Sequence, residues 1–270
     1  MGFDCPPAGE RTPLTRPWAP GVDERLQKCE AHCLATINDV ICLKGGPPAN
    51  RVSEVLFERD TLLCTYPELD YFGPRDSCYL GVLPERPAPR GGEGEDVDIV
   101  AYVRMEHAHT ERLLDAIRKT AMRAMVYCPD MSEAGRAHWT GPALRLSETP
   151  LDLDSWLPRC KIVVSYGGHG MTARSLLAGR PMLLLPTHLE QQFNAAGAAG
   201  IGAALVVRQD ERNPKLKSML EALKGDPRYS QAARQFSERH SAPSAVLRLA
   251  DAVAACERAA AARTEKRIPL

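Results

Sequence analysis

Short apolar runs that alternate with helical patterns between residues 97 and 207 constrain the fold more than any other feature of this sequence. Runs of consecutive apolar residues are typical of strands buried on both faces, and helices between such strands are typical of a parallel sheet. The sequence therefore predicts an α/β domain in which helices cover both faces of a parallel sheet. Strands are expected at 97–103, 121–128, 143–146, 162–165, 182–185 and 203–207, and helices at 111–119, 151–157, 172–178, 190–199 and throughout the chain after residue 208.

The first 96 residues lack this alternation. Residues 1–22 contain five prolines and little periodicity, which predicts an extended tail. Apolar side chains recur at three- and four-residue steps over 22–43, which predicts a helix. Residues 84–96, PERPAPRGGEGED, are rich in proline, glycine and acids, which predicts a linker. Between helix and linker, a short helix is expected at 51–58 and strands at 61–65 and 78–82.

The charge balance and the cysteine usage exclude several classes of protein. The chain has 34 Lys and Arg against 34 Asp and Glu, so it has no net field that would attract nucleic acid or an anionic membrane. No apolar stretch is long enough for a membrane span, and the first residues lack the apolar region of a secretory signal. Nine cysteines scattered over 270 residues indicate reduced thiols. A cytoplasmic protein without a nucleic-acid partner is therefore expected.

The residues most informative about function are 162–173, IVVSYGGHGMTA. A predicted strand runs into the glycine-rich turn GGHG, residues 167–170, and a predicted helix follows. Glycines at such a junction allow a phosphate to approach the backbone, where the amide groups and the dipole of the helix start bind anions. The Thr172 hydroxyl and a ring N–H of His169 are further donors. The alternative is a tight turn whose glycines only relieve crowding.

A second polar segment follows the next predicted strand, where Glu190 and Gln191 begin a helix. In open parallel sheets ligands bind beyond the carboxyl ends of the strands, so this pair is expected at the same edge as the GGHG turn. A carboxylate beside an amide can hydrogen-bond the vicinal hydroxyls of a sugar. The alternative is an exposed helix start at which the dipole favours an acid.

Residues 157–194, LPRCKIVVSYGGHGMTARSLLAGRPMLLLPTHLEQQFN, resemble the donor-binding signature of GT-B glycosyltransferases. The resemblance is to the group with UDP-glucuronosyl and UDP-glucosyl transferases and macrolide and glycopeptide glycosyltransferases. It implies a Rossmann-like sheet, the carboxy-terminal half of the GT-B fold, that binds a UDP- or dTDP-sugar as donor substrate without cofactor or metal. The implied contacts are Gly167, Gly168, His169, Gly170, Thr172 and Arg104 for the diphosphate, Glu190 and Gln191 for the sugar, and Ser147, Thr149 and Leu151 for the base.

Two positions depart from the pattern of that family. Many relatives have a histidine immediately before the first glycine of the turn, where this chain has Tyr166. Many have a glutamate that binds the ribose hydroxyls where this chain has Arg174, and an arginine cannot accept a hydrogen bond from a diol. The identity of the nucleotide therefore stays open.

The resemblance also implies a region that this sequence does not show. In the GT-B fold an amino-terminal domain binds the acceptor and supplies the catalytic base, and the first 83 residues contain no strand–helix alternation of that kind. The base is therefore unassigned, with His107, His109 and His188 as candidates for a chain that acts alone. A truncated product or one subunit of a split transferase is expected, whose partners are a nucleotide-sugar and either an acceptor-domain chain or a second copy of itself. The predicted divisions are a tail (1–22), a remnant of the amino-terminal domain with the inter-domain crossing (23–83), a linker (84–96), the donor-binding domain (97–243) and a crossing helix with tail (244–270).

Two other functions fit parts of the sequence. Gly168, Gly170 and Ala173 match the dinucleotide-binding pattern G-x-G-x-x-G/A, which favours an NAD(P)-binding oxidoreductase. That pattern belongs at the first strand–helix turn of a sheet, with several strands after it, whereas only about two strands are expected after this turn. The departures at Tyr166 and Arg174 and the missing domain fit a non-catalytic protein that binds a nucleotide-sugar.

Three weaker features have a functional and a structural interpretation each. Cys29, His32 and Cys33 share one helix face and could bind zinc with Cys42, but Cys29 and Cys33 also continue the apolar stripe of that helix. Two aromatic side chains, Trp139 and Trp156, could cover a nucleotide or anchor the core. A polar group of four residues after the first predicted domain strand could bind a metal or form a solvated helix start; it comprises Glu106, His107, His109 and Glu111.

Overall fold

The computed structural model of the protein describes residues 21–56, 62–76, 78–82, 95–208, 210–240, 250, 252–258 and 261. The chain divides into two compact units, one formed by residues 1–81 with 246–270 and the other by residues 82–245. The predicted donor-binding range 97–243 falls within the second unit. The predicted tail and linker lie almost wholly outside the described residues, and so do Val246 and Leu249 of the predicted last helix.

The first unit contains two helices and one pair of short strands. Helix α1 (Val22–Leu43) confirms the predicted helix, and α2 (Val52–Leu56) follows it. Strands β1 (Leu62–Leu63) and β2 (Cys78–Tyr79) pair in parallel, with a 3-10 turn at Pro67–Leu69 between them. None of the described side chains of α1 is buried. Residues 252–258 are helical as well.

The second unit is built on a sheet of six parallel strands, as predicted. The strands are β3 (Ile99–Tyr102), β4 (Ala124–Tyr127), β5 (Leu144–Ser147), β6 (Ile162–Ser165), β7 (Met182–Leu184) and β8 (Ala204–Val206). Their order across the sheet is β5-β4-β3-β6-β7-β8, so the chain starts in the middle, adds strands toward one edge and then returns to build the other half. Residues 99, 100 and 101 of β3 pair with residues 162, 163 and 164 of β6 where this order reverses.

The helices of this unit follow the strands. They are α3 (Thr110–Lys119), α4 (Glu133–Trp139), α5 (Leu153–Trp156) with a 3-10 turn at Leu157–Arg159, α6 (His169–Leu177), α7 (Leu189–Gly200), α8 (Leu216–Gly225) and α9 (Pro227–His240).

These helices differ from the prediction most clearly at three places. Helix α4 was not predicted, because it buries none of its residues and so shows no apolar periodicity. Helix α6 begins three residues earlier than predicted, because the turn at Gly168 passes directly into the first helical residue. The prediction of helix throughout the chain after residue 208 is wrong over 210–215, where turns and bends precede α8, because the residue before Pro214 is disfavoured in helical conformation.

Helices cover both faces of the sheet because alternate strand residues point to opposite sides and both sets are apolar. One face buries residues such as Ile99 and Val126 against α3 and α8. The other face carries Val100 and Val163, which are likewise buried. Helix α6 packs against α7 and α9, and α7 contacts β8. Each large apolar side chain removed from water in this way stabilises the fold by about 1.5–3 kcal/mol.

A charged cluster closes the amino-terminal edge of the sheet. Asp98 precedes β3, and its carboxylate accepts hydrogen bonds from the ammonium groups of Lys161 at 2.9 Å and Lys224 at 3.0 Å. The amide of Arg123 donates to the same carboxylate at 3.1 Å. At the opposite edge, where the strands end, lie the two polar segments predicted to be functional, the GGHG turn and the start of α7.

Candidate functional site

The GGHG turn occupies the carboxyl end of β6, at the point where the strand order reverses. Ligands of doubly wound sheets bind at such a point, because the connections on either side leave in opposite directions and open a crevice. Gly167 has φ +82°, and a Cβ atom there would lie 3.1 Å from the backbone oxygen of Gln191. Only glycine fits this position without strain. Gly168 follows as the N-cap of α6 with ordinary dihedrals, φ −59° and ψ 141°.

The start of α6 has the properties of an anion-binding site. The first intrahelical bond runs from the amide of Thr172 to the carbonyl of Gly168 at 3.0 Å. No described side chain caps the helix, and its first turn contains no acid. A Cβ atom added to Gly168 or Gly170 would meet none of the described atoms within 4 Å. Open space therefore lies beside a helix N-terminus whose dipole and first amides favour a negative charge.

Two side chains predicted to assist this turn lie inside the protein. His169 is 4% exposed, and burial lowers its pKa to about 4, so the ring is neutral at pH 7. Thr172 is fully buried, and its hydroxyl has no hydrogen-bond partner among the described residues. The accessible donors of the turn are therefore backbone amides, and the roles of these two side chains toward a diphosphate stay predictions.

The loop after β3 lies beside the turn, and Arg104 is its exposed cation. The guanidinium of Arg104 pairs with Glu106 at 3.2 Å, and both side chains are more than half exposed. Tyr166, which directly precedes the GGHG turn, holds the backbone of Arg104. The Tyr166 hydroxyl accepts a hydrogen bond from the Arg104 amide and donates one to the Arg104 carbonyl at 3.1 Å. The geometry thus brings Arg104 and the GGHG turn to neighbouring strand ends.

The start of α7 carries the predicted sugar-binding pair. Both residues are partly buried. The side-chain oxygen of Gln191 accepts hydrogen bonds from the amide of Thr187 at 2.8 Å and from its hydroxyl at 2.9 Å. Since these bonds use both lone pairs, the amide donors of Gln191 and the carboxylate of Glu190 are the groups left for a ligand.

Asn194 joins α7 to the GGHG turn, and sequence reasoning gave it no role. Its side-chain amide donates to the carbonyl of Gly167 at 2.9 Å, and the residue is completely buried. The only available signal was a single polar residue on the apolar side of a helix otherwise rich in alanine and glycine. The GGHG turn and α7 are therefore packed together directly.

The predicted base-binding segment continues from β5. The Ser147 hydroxyl donates to the carbonyl of Thr149 at 2.6 Å, which forms a local turn. Arg136 of α4, which the sequence did not single out, donates to the carbonyl of Ser147 at 3.0 Å and to that of Cys128 at 3.2 Å. Thr149 is exposed and Leu151 is partly buried. The backbone at the ends of β4 and β5 is thus held by one guanidinium.

Arg174 and the two tryptophans have protein partners. Arg174 forms an ion pair with Asp154 of α5. Trp139 packs against the core and faces the Arg118 guanidinium 5.3 Å from its ring centre. The ring of Trp156 is likewise covered by Arg159 at 4.9 Å. These contacts favour the structural interpretation of both aromatics.

Neither sequence cluster with metal-ligand character is arranged as a metal site in the described part of the chain. There, no group of three or more His, Cys, Asp or Glu side chains is placed to hold an ion. Cys29, Cys33 and Cys42 are exposed thiols on α1. The His107 ring nitrogen instead accepts a hydrogen bond from the amide of His109 at 3.2 Å. Within the same described residues, no helix is both long enough and apolar enough to span a membrane.

Among the curated proteins similar to this chain are two glycosyltransferases. The elloramycin glycosyltransferase ElmGT of Streptomyces olivaceus is 33% identical over 110 residues, which are 40% of this chain and 26% of that protein. An N-acetylglucosamine transferase of Rhodospirillum centenum, which acts on N-acetylmuramyl-(pentapeptide) pyrophosphoryl-undecaprenol, is 35% identical over 107 residues, 38% of this chain and 28% of that protein. The chain thus spans about a quarter of the length of these curated relatives.

Solved structures extend the similarity of fold. The glycosyltransferase VinC in complex with DTDP matches with a TM-score of 0.64 and 22% identity, over 82% of this chain and 58% of that one. The calicheamicin glycosyltransferase CalG4 matches with a TM-score of 0.61 and 15% identity, over 90% and 62%. At these identities the likeness shows the fold, the carboxy-terminal half of GT-B.

The family itself follows from a sequence model described as "Erythromycin biosynthesis protein CIII-like, C-terminal domain", which matches residues 111–254. The match includes the turn at the end of β6, the start of α7 and the strands that hold them. It covers slightly more than half of the chain, and the turn follows the fourth strand of the unit, which disfavours the oxidoreductase interpretation. The chain therefore belongs to the family of the erythromycin biosynthesis protein CIII-like carboxy-terminal domain, a family of GT-B glycosyltransferases.

Proposed function

We propose that this chain is the donor-binding half of a glycosyltransferase that moves a hexosyl group from a nucleotide-diphospho-sugar to a small-molecule or lipid acceptor. The observation that carries the proposal is the open space in front of the α6 start, beside two glycines that a Cβ atom would not crowd. A diphosphate is the part of such a donor that a helix start without an acid in its first turn binds best. The donor nucleotide is uridine or thymidine diphosphate.

The same groups would also serve the chemical step. In a direct displacement the acceptor oxygen attacks the anomeric carbon while the bond from that carbon to the diphosphate breaks. The negative charge that develops on the leaving diphosphate is stabilised by the α6 amides and by the exposed Arg104 guanidinium. The acceptor proton passes to a base, for which we assign no residue of this chain.

The remaining contacts of the donor follow from the groups left over in the site. The carboxylate of Glu190 would accept hydrogen bonds from sugar hydroxyls, and the amide donors of Gln191 would bind a sugar oxygen. The base would lie along 146–151, whose backbone Arg136 holds. No cofactor and no metal ion is part of this proposal.

A further chain is proposed to complete the enzyme. The chain spans only about a quarter of the length of its curated relatives. Its first unit also exposes apolar side chains on α1, with Leu43 84% and Val40 54% exposed. Exposed apolar side chains grouped on one helix favour association. The partner would be an acceptor-domain chain or a second copy. We also place the protein in the cytoplasm, where the buried thiols of Cys128 and Cys160 stay reduced.

A glycine replacement tests the diphosphate site. Gly168→Val adds a side chain at dihedrals that valine adopts freely, so it should block the open space without unfolding the domain. Calorimetry should show that UDP or dTDP binds the wild-type chain and no longer binds the variant, while circular dichroism stays unchanged.

The control is Gly225→Val at the end of α8, another glycine whose added Cβ would meet no described atom within 4 Å. It should bind the nucleotide like the wild-type chain. Equal binding by Gly168→Val and wild type would place the diphosphate elsewhere, and no binding by the wild type would refute the proposed function.

A further inference from the structure

Tyr166 directly precedes the GGHG turn and connects it to the loop after β3. It follows β6, whereas Arg104 follows β3, and these two strands pair where the strand order reverses. The single phenol hydroxyl hydrogen-bonds both the amide and the carbonyl of Arg104. The two residues are 62 positions apart in the chain, so this contact is built by the fold and not by local sequence.

The backbone of Arg104 is therefore fixed from two directions. Its carbonyl also accepts a hydrogen bond from the hydroxyl of Thr110, at the start of α3, at 2.5 Å. Tyr166 is the one of these two partners that ties the loop to the GGHG turn. Burial raises the pKa of Tyr166 to about 12, so the phenol keeps the proton that it donates. Its ring also lies against the ring of His107, with centroids 5.3 Å apart.

The side chain of Arg104 is held far less firmly than its backbone. Its side chain is 51% exposed, and its partner Glu106 is 70% exposed. An exposed ion pair of this kind contributes little to stability, so the guanidinium can exchange Glu106 for a phosphate at small cost. A fixed backbone combined with an exchangeable side chain is what an arginine needs to meet a ligand that arrives at the turn.

We propose that Tyr166 is a positioning residue for the donor diphosphate, which acts by clamping the Arg104 backbone beside the GGHG turn. The inference rests on the proposed diphosphate site and adds a residue to it. Without the phenol hydroxyl the loop after β3 loses its tie to the turn, so the guanidinium must be ordered when the ligand binds. Affinity for the diphosphate falls by that ordering cost.

The experiment is a double-mutant cycle read by calorimetry. Wild type, Tyr166→Phe, Arg104→Gln and the double variant are titrated with UDP or dTDP, whichever binds the wild type more tightly, and with the corresponding nucleoside. Tyr166→Phe should lower the affinity for the diphosphate about 3- to 10-fold, because two hydrogen bonds to the Arg104 backbone are lost. It should change the affinity for the nucleoside by less than about twofold. In the Arg104→Gln background it should cause no further loss, because the two residues act as one unit.

The control is Tyr229→Phe, which removes a phenol hydroxyl from α9 and should bind like the wild type. Equal diphosphate affinity in Tyr166→Phe and wild type would overturn the inference and leave the diphosphate site intact. Losses that add to those of Arg104→Gln, or an equal loss for the nucleoside, would reveal a general structural role and overturn it as well. No binding by the wild type would refute the proposed function, and the inference with it. If Tyr166→Phe does not fold, Tyr166→Leu, which has an apolar side chain without any hydrogen-bonding group, gives the same comparison.

Discussion

Replacing Gly167 by alanine should destabilise the second unit, whereas the same change at the adjacent Gly168 should not. Gly167 has φ +82°, a region that costs a residue with a Cβ atom about 1–2 kcal/mol. The new Cβ would lie 3.1 Å from the backbone oxygen of Gln191, which belongs to a helix and cannot rotate away. Relief of that contact requires α7 to shift by a few tenths of an ångström. We therefore expect a loss of about 2 kcal/mol, of which the dihedral strain is the larger part.

The measurement is thermal unfolding of the two variants and the wild type by circular dichroism. For a folding unit of 150–250 residues, a loss of 1 kcal/mol lowers Tm by about 2–4 °C, so Gly167→Ala should unfold about 4–8 °C below the wild type. Gly168→Ala serves as the matched control, because its dihedrals suit alanine and its Cβ would meet no described atom within 4 Å. Equal Tm values for the two variants would show that Gly167 does not have the positive φ on which this prediction rests.

Two further changes test the cluster at the opposite edge and the link between α7 and the turn. Burial by itself raises the pKa of Asp98, but the hydrogen bonds from Lys161 and Lys224 outweigh it and lower the pKa from 3.8 to about 2. Asp98→Asn should therefore lower the free energy of unfolding in urea by about 2 kcal/mol at pH 7. This difference from the wild type should shrink as the pH falls from about 4 to 2, because the carboxylate of the folded wild type becomes protonated. A difference that does not change with pH would contradict the role of the carboxylate. Asn194→Leu should cost about 1–3 kcal/mol by leaving the Gly167 carbonyl unpaired, and should also weaken diphosphate binding in calorimetry. Ala196→Leu on the exposed side of the same helix is its control, and an Asn194→Leu variant as stable as that control would argue against the bond.

The centre of the sheet was predictable from the sequence because strands such as β6 and β7 are buried on both faces. The runs IVV in β6 and MLL in β7 contain no polar residue, and glycine or proline lies close to their ends. Helix α4 escaped prediction for the opposite reason, since it buries no residue and is defined by its Ser132 cap, whose hydroxyl accepts from the amide of Gly135 at 3.1 Å. Apolar periodicity arises where one face of a helix is buried, so it does not predict a helix that lies on the surface.

The candidate site was predictable only in its backbone. The position of the GGHG turn follows from the order of strands and glycines, and the start of α7 follows in the same way. What Tyr166, Arg136 and Asn194 do depends on partners between 8 and 62 residues away, so no sequence pattern contained it. The burial of His169 likewise depends on how α6 packs, which a helical position alone does not fix.

The contact between α7 and the GGHG turn has a consequence for the proposed donor site. The carbonyl of Gly167 accepts a hydrogen bond from Asn194, and a Cβ atom at Gly167 would crowd the backbone of Gln191, so the turn and α7 form one packed unit. If the turn binds the diphosphate and the start of α7 binds the sugar, main-chain atoms would set the distance between these two parts of the donor. A different sugar would then be accommodated by exchanging the side chains at 190 and 191, without a change in the backbone.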